Sequence, residues 1–99
     1  MIAKYSIRWT ENASDTYIDT LENILDQWTV KEAESFENAT DELLKQLSSN
    51  SKICPEIKKF KLRRCVLSYQ TSLVYRIVSK TIELIAFVDN RSDHIYQID

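Results

Sequence analysis

The sequence predicts an α+β fold of two layers, in which a helical hairpin covers one face of an antiparallel sheet. Three observations predict it. Apolar residues recur at helical spacing in two successive stripes between Ala13 and Leu47. Three runs rich in Val, Ile, Leu, Tyr and Phe then follow between Lys52 and Val88. They are punctuated by Gln70-Thr71-Ser72 and Ser79-Lys80-Thr81, the pattern of an antiparallel β-meander. The length of 99 residues suits a single core, so residues 1–99 are expected to form one domain.

Each element has its own signal. Ala3 to Trp9 alternates, placing Tyr5, Ile7 and Trp9 on one face of a half-buried N-terminal strand. Thr10 or Asn12 can cap the helix that follows, and Glu11 and Asp15 sit where the helix dipole favours acids. Its stripe is Ala13, Tyr17, Leu21, Ile24, Leu25 and Trp28. Thr29 caps a second helix with the stripe Ala33, Phe36, Ala39 or Thr40, Leu43, Leu44 and Leu47, which decays into Ser48-Ser49-Asn50-Ser51. Together they predict an antiparallel helical hairpin.

The meander begins after Pro55. Over Glu56–Arg63, alternation puts Ile57, Lys59, Lys61 and Arg63 on one face; over Arg64–Tyr69 it groups Cys65, Leu67 and Tyr69. Leu73, Tyr75 and Ile77 share a face opposite Val74, Arg76 and Val78, which makes Tyr75 a core residue. Thr81–Val88 is apolar on both sides, as in a strand covered on both faces. The order is β-α-α-β-β-β-β, with the hairpin over one face and the other left for a ligand. The first strand is expected to join the sheet after the hairpin has crossed over it. Trp9 and Trp28 lie at the apolar ends of periodic stripes, so core packing is expected for both rather than base stacking.

Composition excludes several functions. There is no glycine, so neither a phosphate-binding Gly loop nor a dinucleotide fingerprint exists. No apolar run approaches membrane-spanning length, and MIAKYSIRW is too short and polar for a signal peptide, so a cytoplasmic location is expected. Cys54 and Cys65 are eleven apart with no CxxC and no His pair. Two reduced thiols are therefore expected, with no metal and no cofactor.

The net charge of −2 hides an asymmetry of −6 over residues 1–50 and +4 over residues 51–99. From Lys52 to Lys80, eight Lys or Arg face a single acid, Glu56. Such asymmetry points to a polar partner surface, built here from Lys59, Lys61, Arg63, Arg64, Arg76 and Arg91. Arg suits it because its planar fork grips a carboxylate or phosphate in two places. Blander roles are open. Lys58, Lys59 and Lys61 could only guard an edge strand, and Arg64 or Arg76 could pair with helix acids such as Asp15 or Glu42.

With these residues in order, the chain resembles the RelE/ParE family, the toxins of bacterial type II toxin–antitoxin systems. The match rests on Arg8-Trp9-Thr10 before the first helix and on Ala33-x-x-Phe36 leading into Leu43, Leu44, Leu47 and Pro55. It continues through Leu62-Arg63-Arg64-Cys65-Val66-Leu67 and Leu73-Val74-Tyr75-Arg76-Ile77, and ends in Asp89-Asn90-Arg91. The tail Asp-x-Arg is similar to the ParE-like branch. The resemblance implies a RelE/ParE-like two-layer fold, growth arrest or plasmid stabilisation, and a cognate antitoxin that contacts DNA in place of the toxin. ParE-like members act on DNA gyrase, whereas RelE-like members cleave mRNA on the ribosome. Metal-free RNA cleavage needs a base, an acid and cations for the phosphorane. For that alternative the resemblance implies Arg63, Arg64, Arg91, His94 and Tyr96. A pI near 5.4 tilts the expectation toward a protein target, because ribosome docking must offset many phosphates.

Overall fold

The structure, a computed structural model, describes residues 4–57 and 59–90. Its elements are β1 (Ser6–Trp9), α1 (Glu11–Gln27), α2 (Val30–Ser49), β2 (Glu56–Ile57), β3 (Leu62–Val66), β4 (Thr71–Val78) and β5 (Thr81–Asp89). The five strands form one sheet in the order β1-β5-β4-β3-β2. Strands β2 to β5 are an antiparallel meander, and β1, which precedes the helical hairpin, pairs parallel with β5 at the sheet edge.

Both predicted helix caps are present. The Thr10 hydroxyl accepts from Ala13 N at 3.1 Å, and the Thr29 hydroxyl accepts from Glu32 N at 3.2 Å. Each satisfies one of the amides that a helix start leaves without a partner. The Thr10 hydroxyl also donates to Leu84 O at 2.6 Å, so one residue both starts α1 and fixes it to β5.

The core lies between the hairpin and one face of the sheet. Ala13, Phe36 and Leu47 from the helices meet Leu73, Tyr75, Ile82, Leu84 and Phe87 from the strands. Register explains why Leu84 and Phe87 share this face although they are three apart. Val74 pairs with Ala86 but Tyr75 pairs with Leu84, so Ile85 is the extra residue of a β-bulge. The Thr16 hydroxyl accepts from Phe87 N at 2.9 Å, tying α1 to the strand beside the bulge. Trp9, Tyr17 and Phe36 gather around Phe87 with ring centroids 5.0–6.1 Å from it. Tyr75 is fully buried, as alternation predicts, and its hydroxyl donates to Ser51 O at 2.7 Å.

Four expectations are corrected. Cys54 and Cys65 are joined in a disulfide, not held as two thiols. A long strand over Glu56–Arg63 does not form: β2 holds two residues, and Lys59–Lys61 is the turn of a β2–β3 hairpin. Without glycine the chain must place Lys61 (φ 53°) and Ser79 (φ 55°) in the left-handed region at its two tight turns. The following turn comes earlier than predicted, since Thr71 and Ser72 already belong to β4. Trp28 is not core: it closes α1 with 55% of its surface exposed. Leu25 is likewise half-exposed.

Candidate functional site

Alternation along β3 separates the two adjacent arginines. Arg63 stands opposite Tyr75 and Arg64 opposite Val74, so they point to different faces. Arg63 lies on the helix side at the sheet margin. There its Nη1 donates to Cys54 O at 2.6 Å and, at 3.5 Å, to Lys52 O. It holds the loop after α2 rather than joining Arg64 and Arg76 on one surface.

The face opposite the helices carries Arg8, Glu83 and Arg76 in one row across three strands. Arg8 and Arg76 are both Cα partners of Glu83, from β1 and β4 respectively. Arg8 Nη1 donates to one carboxylate oxygen of Glu83, and Arg76 Nε donates to the other at 2.5 Å. The arginine side chains are 62% and 51% exposed, whereas that of Glu83 is only 12% exposed. The row thus presents two guanidiniums around one covered carboxylate, with a net charge of +1. Arg76 therefore pairs with a sheet acid, not with the helix acids Asp15 or Glu42; Glu42 instead meets Lys45.

Arg64 occupies the next diagonal position on the same face. Its Nη2 donates to Asn90 Oδ1 at 2.7 Å. Asn90 is a junction: the same oxygen accepts from the Ser72 hydroxyl, and Nδ2 donates to Ser68 O at 3.1 Å and Tyr69 O at 3.2 Å. One amide side chain so fixes the β3–β4 turn and aims Arg64. An open hollow of about 600 Å³ lies beside it, lined by Pro55, Glu56, Ile57, Arg64, Val66 and Asn90.

The other predicted positions are dispersed. Lys59 and Lys61 are exposed on the β2–β3 turn. Arg91, His94 and Tyr96 lie outside the described residues, as does Lys58. Burial raises the Tyr75 hydroxyl above its ordinary 10.0, and burial with Glu37 and Asp41 nearby raises that of Tyr17, so both stay protonated. Among the described residues, no three His, Cys, Asp or Glu side chains gather where a metal could sit. Nor is any described helix long and apolar enough to cross a membrane.

Sequence reasoning missed Arg8, Glu83 and Asn90 as members of this surface. A signal existed for the first two. Arg8 sits between the inward Ile7 and Trp9, and Glu83 is the one charged residue inside an otherwise apolar strand. A single acid at such a position needs a cationic partner on the same face. Nothing in the sequence marks Asn90 as a junction, because its partners in β3, the following turn and β4 lie between 18 and 26 residues earlier in the chain. A second cleft, about 570 Å³, opens between the helices and the β3–β4 turn, with Ile24, Trp28, Phe36, Leu67 and Tyr69 in its walls.

The fold as a whole is similar to solved structures. A chain of the chromosomal ParDE TA system from P. aeruginosa superposes with a TM-score of 0.72 at 16% identity, covering 88% of this chain and 97% of that one. The chain has the RelE/ParE-type toxin fold. The toxin–antitoxin complex RelBE2 from Mycobacterium tuberculosis is similar at a TM-score of 0.63 and 13% identity, over 93% of this chain and 98% of that one. The YoeB dimer from Staphylococcus aureus is similar at 0.62 and 15%, over 85% and 94%. No family model and no curated relative matches the sequence. In the RelE/ParE-type fold as this chain builds it, the Arg8–Glu83–Arg76 row and Arg64 lie on the face the hairpin leaves uncovered.

Proposed function

We propose that this chain is the toxin of a type II toxin–antitoxin pair, arresting growth by a ParE-like action on DNA gyrase or another cytoplasmic protein and neutralised by a cognate antitoxin. The observation that carries this reading is the likeness to the ParDE system along nearly the full length of both chains. The chemistry of the second face supports a binding rather than a cleaving role. Its guanidiniums are held by Glu83 and Asn90 in fixed positions, suited to grip acidic groups of a protein partner. A held arginine loses less freedom on binding than a mobile one.

One observation favours the alternative, a RelE-like ribosome-dependent mRNA endoribonuclease. A carboxylate flanked by two guanidiniums has the composition needed to take a 2′-hydroxyl proton and steady a phosphorane. Glu83 is then the base and Arg8 and Arg76 the cationic clamp, with Arg64 beside them. The proposal is tested by inducing the gene in growing bacteria, with and without any short reading frame found to adjoin it. Growth arrest relieved by the neighbour supports a toxin; unimpeded growth at full expression overturns it.

A further inference from the structure

The disulfide is the one covalent link between the loop after α2 and the middle of β3. Cys65 lies in mid-β3, 3% exposed and packed in the core, whereas Cys54 is half-buried in the loop after α2. Beyond the bond, that loop meets the sheet through Arg63 on Cys54 O, the Tyr75 hydroxyl on Ser51 O, and Arg64 N on Pro55 O at 3.1 Å. The next element, β2, contributes only two Cα pairs, Glu56 with Arg63 and Ile57 with Leu62. A two-residue edge strand has almost no stability of its own. Pro55, Glu56 and Ile57 also form one wall of the hollow beside Arg64. The bond therefore adds a covalent link to a wall otherwise held by a few hydrogen bonds and a two-residue strand pairing.

We propose that Cys54 and Cys65 form a reversible dithiol–disulfide pair whose oxidation fixes the Pro55–Ile57 wall of the Arg64 hollow. The oxidant is a low-molecular-weight disulfide. The Cys54 thiolate attacks one of its sulfurs, forming a mixed disulfide and releasing one small thiol. Cys65 then displaces the second small thiol from Cys54, closing the protein bond. Two electrons and two protons leave the protein, and the small disulfide is reduced to two thiols. A small thiol runs the cycle backwards by attacking Cys54, the half-buried sulfur, while Cys65 leaves into the core. The dithiol and the closed bond are thus two states of one chain, and this inference stands whatever the chain's target is.

The test takes the full chain through a series of reduced-to-oxidised glutathione ratios under native conditions. Alkylation and intact mass count the free thiols, and hydrogen exchange reads residues 55–64. The expected result is a smooth two-thiol transition, reversed by excess reduced glutathione without denaturant. Exchange at residues 55–64 is expected to be at least about tenfold slower in the oxidised state, with β4 and β5 unchanged. Cys54→Ser, run beside it, should hold the fast exchange at every ratio. Thiols that stay free in oxidised glutathione overturn the proposal. So does a bond that reduces only after unfolding, an exchange pattern indifferent to it, or a Cys54→Ser chain that still responds to the ratio.

Discussion

Replacing Arg63 by Ala separates scaffold from function, because the side chain most central to the sequence signature is spent on the fold. Its guanidinium makes one short bond to Cys54 O at 2.6 Å and one at the 3.5 Å limit to Lys52 O. A bond from a charged donor contributes about 1.5–3 kcal/mol, and half-burial argues for the lower end, about 1.5–2 kcal/mol. At about 4–8 °C per kcal/mol for a domain of this size, Arg63→Ala should melt about 6–16 °C below the parent. Arg76→Ala is the control. Its Glu83 pair leaves Arg76 half-exposed, so the loss should stay under about 1 kcal/mol and a few degrees. Circular-dichroism melting of all three chains, fully reduced and fully oxidised, reads the difference. An Arg63→Ala chain melting within about 2 °C of the parent would refute the reasoning, because the loop would then not depend on the guanidinium.

Three further outcomes follow from the same geometry. The Tyr75 hydroxyl is raised above 10.0 by burial, so the folded state holds its proton more tightly than the unfolded one. That contribution is whole below pH 10 and is lost as pH rises through the raised value, so Tm should fall more steeply above pH 10 in the parent than in Tyr75→Phe. At pH 7, Tyr75→Phe should itself cost about 1–3 kcal/mol by leaving the Ser51 carbonyl without its donor, measurable by urea unfolding. Glu83→Gln should lower Tm by only a few degrees and make it salt-sensitive, since Arg8 and Arg76 then repel each other across β5; a salt-independent Tm would show that the row is not electrostatically coupled.

Most of the fold was legible because its signals are local. Thr10 and Thr29 announce their helices, and the periods of Tyr5-Ile7 and Leu73-Tyr75-Ile77 place the core face correctly, whereas Trp9, expected in the core, stays partly exposed at its edge. What failed was set by tertiary context. The disulfide was illegible because spacing alone cannot show that Cys54 returns to within a Cα separation of 5.3 Å of Cys65; that closeness comes from the β2–β3 hairpin. The hairpin was missed because Lys59–Lys61 contains no glycine or proline to mark a turn, and Lys61 adopts its positive φ unassisted. Arg63 could not share a surface with Arg64, because the two are adjacent in β3 and alternation sends them to opposite faces. The exposed Trp28 shows that a stripe measured along a helix says nothing of where its neighbours end. The second face was half legible: Arg64 and Arg76 were expected there, but the row that organises it needed the parallel pairing of β1 with β5 to bring Arg8 beside Glu83.

The account's central claim is tested most directly by DNA supercoiling with purified gyrase, titrated with this chain and, in parallel, with its Arg76→Ala variant. A ParE-like toxin that binds through the second face should block supercoiling near stoichiometric amounts, with the variant markedly weaker while melting almost unchanged. Supercoiling that proceeds unaffected by the chain, while translated mRNA is cut on ribosomes and Glu83→Gln abolishes the cut, would contradict it.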